Sequence, residues 1–259
     1  MKKNTIKTIR EKFNDLNIDG YIIPKNDEFF SEYAENDRLK NISSFTGSAG
    51  LAIILKKKNY LFVDGRYTIQ AQNESGKNFK IIEIHKRLPH TIVKNYKLGF
   101  DPNLFTSKKL KYYFSKNNKL ISVDNNLVDK IFKNTSKQKK PFFSLHKKIT
   151  GEGHKSKIKK IINFLKLNKA DYLFISAPEN VAWLLNIRGY DNPNSPIPNT
   201  RLIIGKNKKL LLFTQQNNII KIIKEKKIKH NQIFDFLNFK ELIEKLSGSD
   251  FIIDSHSCS

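Results

Sequence analysis

The chain has 259 residues and a formal net charge of +24 at pH 7. That length suits two domains of ordinary size, and the longest apolar runs fall far short of the ~20 residues that a membrane helix needs. The single cysteine excludes an internal disulfide and fits a reducing compartment. No apolar segment typical of a signal peptide follows the basic amino terminus. We therefore expect a cytoplasmic protein without a membrane partner.

The positive charge comes almost entirely from lysine. Of the 48 basic residues, the arginines are Arg10, Arg38, Arg66, Arg87, Arg188 and Arg201. Lysine, isoleucine and asparagine are all abundant, as under a coding bias toward A and T, and no aromatic RNA-binding motif or zinc spacing accompanies them. We expect a solvated basic surface and no nucleic-acid partner, with polyanion binding as the alternative reading.

The first half of the chain alternates helical and strand patterns. Apolar residues at helical spacing predict an amphipathic helix over residues 4–16. Short apolar runs predict strands over 21–23, 48–55, 59–64, 79–84, 98–101 and 119–123. Further helices are predicted to begin near 67, to run from a cap at Thr106 or Ser107 to about 115, and to cover 126–132.

The second half repeats this alternation after residues 134–157, which carry Pro141, Gly151 and Gly153 and are the best linker candidate. Helices are predicted over 155–167, 179–186, 217–225 and 239–246. Strands are predicted over 172–176, in a hairpin over 201–213, and over 232–234 and 250–254. A loop rich in proline and asparagine is predicted up to residue 199.

The two halves look like copies of one unit. The run 19–24 has its counterpart in 171–178, and the strand 97–101, which ends in Asp101, matches 250–254, which ends in Asp254. About 40 residues follow Asp101 in the first copy, but only five follow Asp254. We predict an α/β protein of two tandem domains, 1–146 and 147–259, with mixed sheets flanked by helices and the second domain incomplete.

Three motifs carry candidate chemistry, each with a structural alternative. The acidic residues Asp27, Glu28, Glu32, Glu35 and Asp37 suggest a cation site, but carboxylates before a helix are more often caps, which we favour. The segment Phe45-Thr46-Gly47-Ser48-Ala49-Gly50 resembles a phosphate loop, but it leads into a strand and lacks the lysine. We interpret it as a tight turn whose glycines permit unusual backbone angles.

The third motif, Asp64-Gly65-Arg66-Tyr67, ends a strand and opens a helix. Arg66 could present its planar fork to a carboxylate or a peptide carbonyl, or it could pair with a neighbouring acid. The segment 183–191 holds the only tryptophan, Trp183, which we interpret as a core or interface anchor. Arg188 and Asp191 are near enough in sequence to pair with each other, so we expect a structural role for both.

No hydrolytic or metal centre is expected. The six histidines show no ligand spacing, and the terminal Ser255-His256-Ser257-Cys258 reads as the start of a loop or helix. We therefore assign no catalytic and no metal residue.

Five motifs in order resemble the N-terminal half of long-form Xaa-Pro aminopeptidases (aminopeptidase P) of the creatinase/prolidase superfamily. They are Tyr21-Ile22-Ile23-Pro24, Phe45-Thr46-Gly47-Ser48-Ala49-Gly50, Asp64-Gly65-Arg66-Tyr67, Asn126-Leu127-Val128-Asp129-Lys130-Ile131 and Trp183-Leu184-Leu185-Asn186-Ile187-Arg188-Gly189-Tyr190-Asp191. The resemblance covers nearly the whole chain.

This resemblance implies two creatinase-N-type domains followed by a catalytic domain that this chain lacks. That domain would hold two divalent metals, usually manganese, which activate water to attack the bond before a proline in the second position. The two N-terminal domains would help to bind short peptides, restrict access and form dimer contacts, with Arg66 approaching the substrate. We expect the chain to be inactive alone. The alternatives are a stand-alone binding or oligomerisation module, or a polyanion binder.

Overall fold

The computed structural model describes residues 2–31, 34, 36–114, 117–132, 141–192, 194–215 and 219–259. The chain divides into two compact units, the first ending at Ser136 and the second running from Lys137 to Cys258. This division falls within residues 133–140, which lie outside the described ranges. Our domain boundary between 146 and 147 stays a prediction.

The first unit is a mixed sheet with helices on both faces. Its helices are α1 (Lys2–Glu11), α2 (Arg38–Ser43), α3 (Thr68–Ser75), α4 (Pro89–Ile92) and α5 (Ser107–Phe114). Its strands are β1 (Gly20–Pro24), β2 (Gly50–Leu55), β3 (Asn59–Val63), β4 (Lys80–Glu83), β5 (Lys97–Phe100) and β6 (Lys119–Ser122). Among the described residues these form one sheet in the order β4-β3-β2-β1-β5-β6. Only the pairs β1–β2 and β2–β3 are antiparallel.

Both faces of this sheet are covered, because successive side chains of a strand point to opposite sides. Tyr21 and Ile23 pack with α1 and α2 on one face. Ile22 packs on the other face with Phe105 and Phe114. A strand that is buried on both faces has few polar positions, which is why β1 reads as an unbroken apolar run.

The second unit has the same plan. Its helices are α6 (Lys147–Thr150), α7 (His154–Leu167), α8 (Pro178–Leu185), α9 (Ile220–Lys224) and α10 (Phe239–Glu244). Its strands are β7 (Phe143–Ser144), β8 (Tyr172–Ile175), β9 (Ile187–Arg188), β10 (Arg201–Gly205), β11 (Leu210–Phe213), β12 (Ile233–Phe234) and β13 (Phe251–Ile253). The described strands give a sheet β12-β11-β10-β8-β13 and a separate pair β7-β9.

The structure reproduces the repeat in order, direction and register. Ile175 faces Leu202 in the second sheet as Ile23 faces Ala52 in the first. Asp19 and Asp171 each accept a hydrogen bond from the backbone of the matching strand, from the N–H groups of Lys97 and Asp250. The sheets differ at one edge. Beside β5 lies β6, whereas no strand of the described ranges lies on the outer side of β13.

Two sequence predictions were wrong in part. Residues 126–132 form hydrogen-bonded turns instead of a helix, because the N–H groups of Ile131 and Phe132 both donate to the Val128 carbonyl and so leave no continuous helical series of bonds. From residue 141 onward the predicted linker is folded. Phe142 is fully buried. The next residues form β7, which pairs with β9, and β9 itself lies in the segment up to residue 199 that was predicted as a loop.

The other predicted elements are present with shifted ends. The first helix ends at Glu11, five residues early, and hydrogen-bonded turns continue to Asn17. The predicted cap of α5 is confirmed, since Thr106 Oγ1 accepts from the Lys109 N–H at 3.2 Å. The helix predicted from 217 begins at Ile220, and residues 217–218 lie outside the described ranges.

Candidate functional site

The carboxyl ends of the parallel strands β1, β3 and β4 meet at one edge of the first sheet. In open α/β sheets this edge is the usual place for a ligand. A cleft of about 290 Å³ opens there. Its lining residues come from the three strand ends, from the start of β2 and from α5: Pro24, Lys25, Asn26, Phe30, Ser48, Ala49, Gly50, Leu51, Asp64, Ile84, His85, Phe105, Lys109 and Tyr113.

Asp64 connects this cleft to Arg66. It caps the tight turn Gly65–Tyr67, where its Oδ1 accepts both the backbone N–H of Arg66 at 3.0 Å and the Nε of Arg66 at 2.9 Å. The Arg66 side chain is 74 % exposed and its guanidinium lies 5.5 Å from the centre of the Tyr67 ring. The structural alternative, pairing with a neighbouring acid, is therefore present. Contact between Arg66 and substrate stays a prediction.

Asp64 is held in its charged form. The hydrogen bond from the Arg66 side chain, followed by the one from the Arg66 backbone, lowers the pKa of Asp64 to about 2. His85 Nε2 lies 3.4 Å from the other carboxylate oxygen, Oδ2. Above pH 4 the motif therefore presents a fixed carboxylate to the cleft, with the arginine cation bound beside it.

Two lysines add positive charge to the cleft. Lys109 Nζ lies 5.1 Å from the centre of the Phe30 ring, and burial lowers the pKa of Lys109. Lys25 is buried and its Nζ donates to Asp37. The cleft thus combines apolar walls with the carboxylate of Asp64 and the cationic groups of Lys25 and Lys109.

Both halves of the chain match a known domain family. A family profile described as Creatinase/Prolidase N-terminal domain matches residues 5–131, and a second of the same description matches residues 133–259. The chain belongs to the creatinase/prolidase N-terminal domain family. It consists of two such domains in tandem, as the sequence resemblance implied.

Its curated relatives are aminopeptidases. A probable Xaa-Pro aminopeptidase P of Laccaria bicolor is 33 % identical over 73 % of this chain and 32 % of that protein. Xaa-Pro aminopeptidase 1 of Dictyostelium discoideum is 30 % identical over 83 % of this chain and 38 % of that protein. The creatinase-N chain therefore spans well under half the length of these relatives.

One solved structure has the same fold over nearly the whole chain. The X-prolyl aminopeptidase of Caenorhabditis elegans, described as a cytosolic enzyme with a di-nuclear active site, matches with a TM-score of 0.79 at 22 % identity. The match covers 98 % of this chain and 46 % of that enzyme. At this identity it supports the fold.

The segment Phe45–Gly50 has a packing role in this creatinase-N domain. It leads into β2, as the sequence indicated, and Thr46 is fastened to Glu74 by two hydrogen bonds of 2.8 and 2.7 Å. The prediction that these glycines adopt unusual backbone angles was wrong. Among the described residues the glycines with positive φ are Gly151 and Gly248. Gly47 is instead required for space, since a Cβ there would lie 2.3 Å from the Phe45 ring.

The acidic cluster provides caps and an ion pair. Asp37 caps α2 by accepting the Lys40 N–H at 2.9 Å, and Asp27 accepts the N–H groups of Phe29 and Ser31. Glu28 pairs with the buried Arg38. Glu32 and Glu35 lie outside the described residues. Across the part of the chain that the structure describes, no three His, Cys, Asp or Glu side chains are placed to hold a metal ion.

In the second domain, the interpretation of Trp183 as a core residue was wrong, and its alternative role as an interface anchor stays a prediction. The side chain is 58 % exposed, with the Nζ of the buried Lys157 4.0 Å from its ring centre. Arg188 donates to the carbonyls of Ile187 and Ala182, and Asp191 accepts the Asn199 N–H. Both side chains therefore hold the nearby backbone, and their pairing with each other stays a prediction.

Sequence reasoning missed the cleft residues His85 and Lys109. His85 carried a usable signal, since it lies two residues after β4, while Asp64 directly follows the parallel neighbour β3. Lys109 lies in a helix with several lysines, and nothing in the sequence separates it from those on the surface.

Proposed function

We propose that this chain is the non-catalytic N-terminal region of an Xaa-Pro aminopeptidase-like metallopeptidase. The observation that supports this most strongly is the tandem of two creatinase/prolidase N-terminal domains, in a chain whose curated relatives are Xaa-Pro aminopeptidases more than twice its length. The parent reaction releases the first residue of a peptide with proline in the second position. The chain contributes substrate gating and dimer contacts to that reaction.

Arg66 is our candidate for contact with the peptide. Its guanidinium is exposed and is bonded to Asp64, which lines the cleft, and arginine keeps its charge in proteins. A peptide carboxylate or carbonyl that reaches this arginine would meet a fixed donor beside a basic, partly apolar surface. Holding the substrate there restricts which peptides reach the catalytic residues.

Metal chemistry belongs to the part of the longer enzyme outside this chain. The residues around the cleft do not fit a di-metal centre, because Asp64 is bonded to Arg66 and, in the part of the chain that the structure describes, no three His, Cys, Asp or Glu side chains are placed to hold a metal ion. We assign two divalent metals, manganese by family resemblance, to the catalytic domain and no metal to the described residues.

We place the protein in the cytoplasm. Within the described ranges no helix is both long and apolar enough to span a bilayer. The Caenorhabditis elegans structural neighbour is described as cytosolic. A homodimer partner and the catalytic domain are the protein partners that this function requires.

A chimera tests the proposal. The matching N-terminal region of the Dictyostelium discoideum enzyme is replaced by this chain, and release of the first residue from an Xaa-Pro peptide is measured. We expect an active chimera and a peptide KM about tenfold higher for Arg66→Ala, as for loss of one charge-assisted hydrogen bond. Arg66→Lys should recover only part of this loss.

The matched control is Arg87→Ala, an exposed arginine of the same domain outside the cleft. An inactive, correctly folded chimera would contradict the assignment of the whole chain. Equal KM values for Arg66→Ala and Arg87→Ala would contradict only the role of Arg66.

A further inference from the structure

A cleft of about 530 Å³ lies on the second domain, where the start of α7, the end of α9 and the segment before β12 meet. Its volume is in the range of sites that bind small molecules. Its floor consists of buried and half-buried aliphatic side chains, those of Ile158, Leu210, Ile223 and Ile228. The other described residues that line it include no acid: His154, Lys155, Lys226, Lys227, Lys229 and Gln232. The cleft therefore combines an apolar floor with a basic rim.

The cleft lies beside β11 and β12, and in the second sheet β11, β10 and β8 separate β12 from β13. The first domain is closed at the corresponding position. The strand registers match Ile233 with Ile81, so Asn231 corresponds to Phe79, two residues earlier in each domain. Phe79 is 4 % exposed and belongs to the core, whereas Asn231 is exposed. The first domain therefore has a buried aromatic side chain where the second domain has an exposed amide.

A second matched position shows the same difference. Phe13 and Leu165 each accept the backbone N–H five residues later, which aligns α1 with α7. Ile6 and Ile158 lie seven residues before them and therefore correspond to each other. Ile6 is 4 % exposed, whereas Ile158 is half-buried and lines the cleft. The opening beside Ile158 therefore distinguishes the second domain from the first.

The positive charges of the rim lie close together. Burial, followed by the charges of Lys227 and Lys155, lowers the pKa of His154, so its imidazole is mostly neutral at pH 7. Burial also lowers the pKa of Lys227, although the charge of Glu225 opposes this effect. The Glu225 carboxylate itself accepts a hydrogen bond from Ser144.

The lysines of the cleft have no bonded counter-ion. Across the described ranges, none of them forms an ion pair with an acidic side chain. Their charges repel one another, and that repulsion is largest where burial excludes water. A bound anion would relieve this repulsion, so the charge of the cleft is complementary to an anionic ligand.

We propose that this cleft binds a small phosphorylated molecule with an apolar body. Lysine is a common phosphate ligand, whereas the planar fork of arginine is the better match for a carboxylate, and the described lining includes no arginine. The phosphate lies among Lys155, Lys226 and Lys227, and the apolar body covers Ile158 and Ile223. The inference rests on the second domain alone and is independent of the peptidase proposal.

The test titrates the full chain with naphthyl phosphate and with inorganic phosphate in isothermal titration calorimetry. Salt at about 0.15 M screens weak attraction to the basic surface as a whole. We expect naphthyl phosphate to bind at one site with a Kd below about 1 mM. Inorganic phosphate should bind at least about tenfold more weakly, because it leaves the aliphatic floor exposed to water.

Three variants separate the cleft from the general charge of the protein. Lys227→Met keeps the apolar stem and removes the charge, and Lys226→Gly removes a charge at a φ of 54°, which glycine adopts without strain. Both should keep the urea midpoint of the parent chain and weaken naphthyl phosphate binding about fivefold or more. The matched control is Lys224→Ala, an exposed lysine of α9 outside the cleft, which loses the same charge and should leave the Kd unchanged.

Four results would overturn the proposal. They are no binding up to about 1 mM naphthyl phosphate, equal affinity for inorganic phosphate, an equal loss of affinity in Lys224→Ala and Lys227→Met, and displacement of naphthyl phosphate by phosphatidylcholine vesicles that contain phosphatidic acid. The last result would identify a lipid surface as the ligand.

Discussion

Substitution of Asp129 by alanine tests how the turn 126–132 is held to the first domain. Asp129 accepts two hydrogen bonds from Arg38, at 2.9 Å from Nε and 2.7 Å from Nη2, and one from Asn36 at 2.8 Å. The Arg38 side chain is 5 % exposed. Burial disfavours its charge, but the bonds to Asp129 and the charge of Glu28 outweigh this effect and raise the pKa of Arg38. Asp129→Ala therefore leaves a buried cation with less compensation.

The size of the effect follows from exposure. Removing one partner of a fully buried pair costs about 3–5 kcal/mol. Asp129 is 36 % exposed and Glu28 remains beside Arg38, so solvent and the second acid reduce the expected loss to about 2 kcal/mol. Asp129→Asn keeps the shape and should lose about half as much.

Hydrogen exchange of the β1 amides measures this loss in the first domain alone. The control is Lys86→Ala, which breaks an ion pair between a 75 % exposed lysine and Glu83 and should cost at most about 0.5 kcal/mol. The reasoning is refuted if Asp129→Ala and Lys86→Ala lower the free energy of opening by the same amount.

Three further predictions concern other parts of the molecule. Gly20→Ala should lower the free energy of unfolding by about 1–3 kcal/mol, because the added Cβ would lie 2.8 Å from the Ile54 carbonyl oxygen. Urea unfolding measures this loss, and an unchanged midpoint would contradict this packing. NMR of the carboxyl groups should find that Asp64 titrates near its lowered pKa of about 2, and nearer 3.8 in Arg66→Ala. Because the pKa is lower in the folded state, this carboxylate stabilises the fold fully above pH 3.8, and the stabilisation is lost as the pH falls toward 2. Binding to duplex DNA should be weak and should vanish by about 0.2 M salt, and a specific complex that survives there would favour the polyanion reading.

The sequence predicted the strands well where burial on both faces produces long apolar runs, as in β1 and β2. It also predicted the repeat, because Asp19 and Asp171 open matching strands and Asp101 and Asp254 end them. The pair β7–β9 escaped notice, since strands of two residues have no detectable period. The turn at 126–132 was predicted as a helix, because a run of bonded turns this short has the same apolar spacing as a single helical turn.

The candidate site was predictable only in part. Asp64 and Arg66 form a recognisable motif, and their mutual bond could be expected from two residues of opposite charge at a strand end. The meeting of Lys25, His85 and Lys109 in the cleft that Asp64 also lines depends on strand order and on the position of α5. Neither the strand order nor the position of α5 can be predicted from this one sequence.

We propose above all that this chain supports Xaa-Pro hydrolysis without performing it. The most direct measurement incubates the purified 259-residue chain with an Xaa-Pro peptide and manganese, and follows release of the first residue by mass spectrometry. The account predicts no release above the protein-free control. Metal-dependent release by the purified chain, abolished by a chelator, would contradict it.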